Sequence, residues 1–120
     1  QMMGYVDDMK SMGLNLQTAD VIDIGEFKTY LNREDVQVID VRNKTEYEAT
    51  HIENSENVFV GTFEDNFDKI SRDKKIVIHC QSGDRSAIAY SLLKKNGFEN
   101  VKNFSGGMKE WMENDNLVTK

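Results

Sequence analysis

The chain's only cysteine, Cys80, stands in a short segment, Cys80-Gln81-Ser82-Gly83-Asp84-Arg85-Ser86, whose residue types suit attack by sulfur. Such attack needs the thiolate, and a free cysteine with a pKa of about 8.5 is mostly protonated at neutral pH. A loop whose successive backbone N–H groups turn inward, closed by a helix N-terminus, favours the anion by hydrogen bonding and through the helix dipole. Arg85 adds a fixed positive charge, Gly83 lets the loop curl without a side chain in the way, and Ser82 and Ser86 offer hydroxyl donors. The same cradle suits the terminal sulfur of a persulfide on Cys80, or an oxyanion on an incoming substrate. No adjacent general base is required once the thiolate is stabilised. A lone cysteine after an apolar run is usually an inert core residue; the company of Gly83, Arg85, Ser86 and a following helix turns the reading toward function.

Holding that loop takes a strand before it and a helix after it. Lys75 to His79 contains Ile76-Val77-Ile78 and reads as the central strand, and Ser86 to Lys95 reads as a helix stopped by Gly97. The same alternation fills the chain. Ala19 to Ile22 is a short strand, Gly25 to Asn32 a helix with Phe27, Tyr30 and Leu31 on one side, and Val36 to Val41 a strand with little polar alternation. Asn43 is an N-cap, with Glu46 three residues later, for a helix to about Thr50. Asn57 to Val60 reads as a strand, Thr62 to Ile70 as a helix, Val101 to Phe104 as the last strand and Gly107 to Asn114 as the last helix. Near-continuous apolar strands are expected where helices cover both faces of a sheet, and strands separated by helices imply right-handed crossovers in an α/β domain with a mostly parallel sheet. In such sheets ligands sit at the carboxyl ends of strands, which is where Cys80 falls.

Composition narrows the function classes. The chain has 120 residues, enough for one domain with one continuous core. Its formal charge of −6 repels a phosphate backbone on average, so nucleic acid is not an expected partner. The apolar runs are too short to span a bilayer and no basic-then-apolar export segment is seen, so a soluble, cytoplasmic protein with no membrane partner is expected. One cysteine excludes an internal disulfide, and one cysteine with two scattered histidines makes no metal cluster, so neither metal nor cofactor is expected. Residues 1–17 read as a helical or linker segment ahead of a domain spanning 18–120. Met2, Tyr5, Met9, Met12 and Leu16 form a stripe on that segment, weakened by Gly4 and Gly13. The stripe either packs on this domain or docks on a fused or neighbouring domain at the N-terminus, and a chain beginning at Gln1 suits a fragment of a longer polypeptide.

Four ordered pieces make the chain resemble the rhodanese family of single-domain sulfurtransferases from Thr18 to Asn114. They are Val38-Ile39-Asp40-Val41-Arg42, then Glu46-Tyr47 with His51-Ile52, then Cys80 to Ser86, and finally Ser105-Gly106-Gly107 with Trp111. The resemblance implies a five-stranded parallel sheet flanked by helices. It also implies a ping-pong reaction in which Cys80 takes a sulfane sulfur from a small donor and passes it to a thiophilic acceptor, a thiol or cyanide. Four residues separate Cys80 from Arg85, whereas the related phosphatase and arsenate-reductase loops have five; the shorter loop fits a single sulfur better than a tetrahedral phosphate. On this reading Cys80 and Arg85 are catalytic, as nucleophile and electrostatic stabiliser, and Gln81, Ser82, Gly83, Asp84 and Ser86 bind substrate.

The other matches read as structural. Asp40 and Arg42 flank a strand end, with Arg42 able to reach Glu46 or another acid nearby, and His51 can bond to Asp40 or a backbone carbonyl. His79 points to the opposite face of its strand from Cys80 and reads as a core histidine, not a base. Gly106 and Gly107 suit a tight turn, and Trp111 anchors the final helix. Thr50 stands where the family often has glycine before its His-Ile, and the chain has no proline, so the family's usual course does not carry over to His51 to Val60. Gln81 replaces the basic residue of many thiosulfate-using members, and Asp84 offsets Arg85, which favours a persulfide of glutathione, coenzyme A or bacillithiol over thiosulfate as donor. The loop is similar to those of rhodanese domains fused to persulfide dioxygenases and coenzyme A disulfide reductases. An alternative reading is a catalytically silent rhodanese-fold module that serves interaction or regulation in a larger protein.

Overall fold

A computed structural model describes residues 20–114. The stripe of Met2 to Leu16 and the boundary between residues 17 and 18 lie outside the described residues. Five parallel strands form one sheet in the order β1-β5-β4-β2-β3, where β1 is Val21–Ile22, β2 Val36–Asp40, β3 Ser55–Asn57, β4 Lys75–His79 and β5 Val101–Phe104. The helices are α1 (Ile24–Tyr30), α2 (Lys44–Ala49), α3 (Asp84–Lys95) and α4 (Gly107–Glu113), with a run of 3₁₀ turns at Val60–Lys69.

β4 is central because its residues can be buried on both faces. Ile76, Ile78 and Cys80 join a core with Ile39, Val41, Phe63, Ala89 and Leu93, under α3 and the 3₁₀ segment. Val77 enters the opposite core with Val36, Val38, Phe27, Phe104, Met108 and Trp111, under α1 and α4. Strand alternation thus divides each apolar run between two cores, and helices cover both faces. The expected fold class is the observed one.

Local signals set most boundaries. Asp23 caps α1 by accepting the Glu26 N–H at 2.8 Å, and Asn43 with Glu46 forms a reciprocal capping box on α2. α3 ends where Gly97 takes φ +90°, with Phe98 N–H bonded to the Leu93 carbonyl and Gly97 N–H to that of Lys94, the paired bonds of a Schellman stop.

Three expectations change. The third strand is Ser55–Asn57, not Asn57 to Val60. Ser55, Glu56 and Asn57 pair with Val38, Ile39 and Asp40 as a polar edge strand, and the apolar Val58-Phe59-Val60 that follows carries the chain over the end of the sheet, with Val58 buried and Phe59 exposed. Thr62 to Ile70 is not a continuous helix: Thr62 and Asn66 have non-helical angles, and the Asn66 amide donates to the Thr62 carbonyl in competition with a helical ladder. Finally, α3 starts at Asp84, two residues earlier than Ser86, because Gly83 turns the chain at φ +104°.

Candidate active site

The sheet aims Cys80 into a cradle of main-chain donors. Sγ accepts from Gly83 N–H at 3.1 Å and from Ser86 N–H at 3.3 Å. Because α3 begins at Asp84, the Ser86 amide is one of the first-turn N–H groups that have no partner inside the helix, and the sulfur occupies it. The expected hydroxyl donation from Ser86 does not occur; its Oγ donates to the Gly83 carbonyl at 3.2 Å and so braces the loop. Ser82 and Asp84 are exposed, and Gln81 is half-buried. Cys80 itself is 1% exposed.

A second loop locks the first in place. After β5 the chain turns at Ser105-Gly106-Gly107 into α4, whose Met108 N–H donates to the Cys80 carbonyl at 2.9 Å and whose Lys109 N–H donates to that of Gln81 at 3.0 Å. Gly107 sits at φ +63°, and a Cβ there would lie 2.3 Å from the Cys80 carbonyl oxygen. A Cβ on Gly83 would lie 2.8 Å from the Ser105 oxygen. The tight turn expected at Gly106-Gly107 is therefore also the close approach of two backbones, which only glycine permits.

Charged groups form two pairs along the carboxyl ends of β2 and β4. Asp40 and Arg42 are both buried: Arg42 Nε donates to both Asp40 oxygens at 3.0 Å, Nη2 to Oδ2 at 2.8 Å, and Nη2 also to the Thr50 carbonyl at 2.7 Å. This pins the end of β2 to the end of α2. Arg42 gives no hydrogen bond to Glu46, because Arg85 takes that carboxylate, through Nη1 to Oε1 at 2.6 Å and Nη2 to Oε2 at 3.1 Å. The Arg85 hydrogen bonds hold the Glu46 carboxyl below its ordinary range, and Glu46 raises Arg85 in return. The Nη1 and Nη2 groups of Arg85 point at Glu46 rather than at the sulfur.

The histidines stand apart from the sulfur chemistry. His79 lies on the opposite face of β4, edge-on to Phe27 at 5.9 Å, with Nδ1 3.4 Å from the Cys80 carbonyl and Nε2 without a partner among the described residues. Burial holds its pKa below the usual histidine range. His51 stacks on Tyr47 at 3.8 Å and bonds through Nδ1 to the Tyr47 carbonyl at 2.7 Å, while Tyr47 OH donates to the Ser55 carbonyl. These contacts set the course of His51 to Ser55. No group of three metal-ligating side chains is found among the described residues, and no helix among them is long and apolar enough to cross a membrane.

The family model of the rhodanese-like domain matches residues 23–114, the stretch that places this sulfur at the carboxyl end of a central parallel strand. The chain belongs to that family. The rhodanese-like domain is 36% identical over 110 residues to a tRNA uridine(34) hydroxylase of Escherichia fergusonii, covering 87% of this chain and 30% of that protein. It thus spans about a third of the length of the hydroxylases it matches. Among solved structures, a rhodanese-related protein from Thermoplasma volcanium superposes with a TM-score of 0.74 at 28% identity, over 82% of this chain and 96% of that one. The human single-domain sulfurtransferase TSTD1 shares the fold with a TM-score of 0.68 at 24% identity, over 78% of this chain and 96% of that one.

Sequence reasoning placed the loop but missed two supports. From the sequence Glu46 reads as a helix cap and a partner for Arg42, whereas the guanidinium it meets, that of Arg85, is 39 residues away. Met108 and Lys109 carry their bracing role on the backbone, where side-chain identity leaves no trace; Gly107 was the available signal.

Proposed function

We propose that this rhodanese-like domain is a sulfurtransferase that carries a sulfane sulfur on Cys80. The observation that supports it best is the pair of main-chain N–H groups on Sγ. In the first half-reaction the Cys80 thiolate attacks the outer sulfur of a persulfide, R–S–SH. The Sγ–S bond forms, the donor S–S bond breaks, and the thiolate R–S⁻ leaves with the bonding pair, leaving Cys80–S–SH, which gives up its proton to water. With thiosulfate the leaving group is sulfite. In the second half-reaction a thiolate or cyanide attacks the outer sulfur and Cys80–S⁻ departs. No external oxidant or reductant is needed.

Gly83 and Ser86 stabilise the sulfur anion of each state through their amides, with the dipole of α3 behind them. Gln81, Ser82, Asp84 and Arg85 form the rim that meets the donor. With Arg85 paired to Glu46 and Asp84 beside it, the rim carries no net positive charge, which suits a low-molecular-weight persulfide better than thiosulfate. A carrier thiol that must stay reduced fits a reducing cytoplasm. Incubation with glutathione persulfide or thiosulfate is expected to add one sulfur, roughly 32 Da, to the intact mass of the wild type and none to Cys80→Ser. Equal labelling of both proteins would overturn the assignment.

Burial of Cys80 favours a second reading, a silent module in which the thiol is only a core residue. A thiol probe that reacts with Cys80 in the folded protein, at a rate well above that of global unfolding, argues against it; reaction only after unfolding supports it. A role as the rhodanese-like part of a uridine-hydroxylating protein rests on the likeness to longer relatives, and the charge of −6 argues against RNA binding by these residues themselves.

A further inference from the structure

The segment from Cys80 to Ser86 carries one basic residue, and the structure commits it to a carboxylate. Both Arg85 nitrogens that face Glu46 donate to it, one to each oxygen. Glu46 cannot swing freely to release them, because its Oε1 also accepts from the Asn43 N–H at 3.3 Å as half of the capping box. The two residues come from different elements. Glu46 is on α2, which follows β2, and Arg85 is on α3, which follows β4. β2 and β4 are neighbours from which the chain departs in opposite directions, toward β3 and toward β5, and the carboxyl ends of such a strand pair frame the crevice where ligands enter α/β sheets. Asp84, exposed beside Arg85, adds a further negative charge, and the buried Asp40–Arg42 pair is internally balanced.

We infer that Glu46 is a specificity-determining residue for the sulfur donor: by occupying Arg85 beside the Cys80 loop, it disfavours a dianionic donor such as thiosulfate relative to a persulfide. This rests on the sulfur-transfer reading proposed above. An unpaired guanidinium attracts a dianion about twice as strongly as a monoanion at the same distance, so cancelling it costs the dianion more. The two side chains are 31% and 33% exposed, and pairs of that kind are weak. A donor can therefore open the pair, but an oxyanion has to compete with Glu46 for the same two N–H groups.

The test uses the whole 120-residue chain and the variant Glu46→Gln, which keeps an acceptor for the helix cap while removing the charge. Turnover is measured with thiosulfate and with the persulfide of 2-mercaptoethanol, whose tail is uncharged. Glu46→Gln is expected to raise kcat/KM for thiosulfate about tenfold, chiefly through KM, and to leave the persulfide reaction within about twofold. The gain should shrink as ionic strength rises, and should vanish in the double variant Glu46→Gln, Arg85→Gln. An unchanged ratio between the donors, or an equal loss on both, would show that Glu46 only supports its helix. If wild type loads sulfur and the ratio does not move, the assignment of Glu46 alone is wrong. If wild type takes up no sulfur from either donor, the sulfur-transfer reading has failed and this inference falls with it.

Discussion

His79 and Cys80 are adjacent in sequence and opposite in environment. The cysteine meets two N–H groups, whereas the histidine is buried among Phe27 and Phe104 with one ring nitrogen unsatisfied. Since burial lowers its pKa, His79 is neutral in the folded protein and the unfolded chain binds the extra proton first. Its contribution to stability is therefore complete above the unfolded value of about 6.5 and is lost as pH falls from there through the folded value, with a slope of at most about 1.4 kcal/mol per pH unit. His79→Leu should flatten the decline between pH 6.5 and 5 in urea titrations and cost less than about 1 kcal/mol at pH 7.5, because it also removes an unsatisfied nitrogen. An unchanged slope would place the titration elsewhere. The Asp40–Arg42 pair behaves differently. Asp40→Asn leaves the Arg42 guanidinium buried without its counter-charge, and a loss of about 3–5 kcal/mol is expected by chemical denaturation.

Among the elements, the contact between the two loops matters most. α4 donates two amides to the carbonyls of Cys80 and Gln81, and Gly107 is what allows it to come that close. Gly107→Ala combines a left-handed backbone with a 2.3 Å clash against the Cys80 oxygen, so the sulfur loop must shift. The expected result is loss of most sulfur loading in the mass assay, together with about 1–3 kcal/mol of stability. Gly106→Ala is the useful control. Its φ is negative and the three closest neighbours of a new Cβ belong to the Glu110 side chain, whose carboxylate can move but whose Cβ, at 2.8 Å, shifts only with α4, so loading should fall less than in Gly107→Ala. If both variants load normally, α4 does not position the loop.

At the scale of the whole molecule, one sheet separates two cores. Ile39 lies in the core under α3 and Ile52 in the core that includes α1 and α4. Ile39→Val and Ile52→Val should each cost about 0.5–1.5 kcal/mol, and the double variant should cost their sum within about 0.5 kcal/mol, because the two side chains belong to different cores. All three proteins should unfold in a single transition followed by fluorescence and circular dichroism. Two separate transitions would mean that the faces fold independently.

Much of this architecture is legible in the sequence alone. β4 and β5 match their sequence-derived bounds, Asn43 and Glu46 form the expected cap, and Gly97 stops α3, because each depends on a few neighbouring residues. β3 was misplaced because an edge strand can be polar, while the apolar residues after it serve a core. The 3₁₀ segment was misread because Asn66 competes with the helical ladder through its side chain. The sequence by itself determined the parallel α/β class, the position of Cys80 at a strand end and the short Cys80 to Arg85 spacing, all of which are local patterns of residue type. Only the tertiary structure decided what surrounds the sulfur. Strand order sets β2 and β5 on either side of β4; the first neighbourhood brings Glu46 to Arg85 and the second brings α4 onto the Cys80 loop. Such contacts join residues far apart in the chain, and sequence spacing carries no information about them.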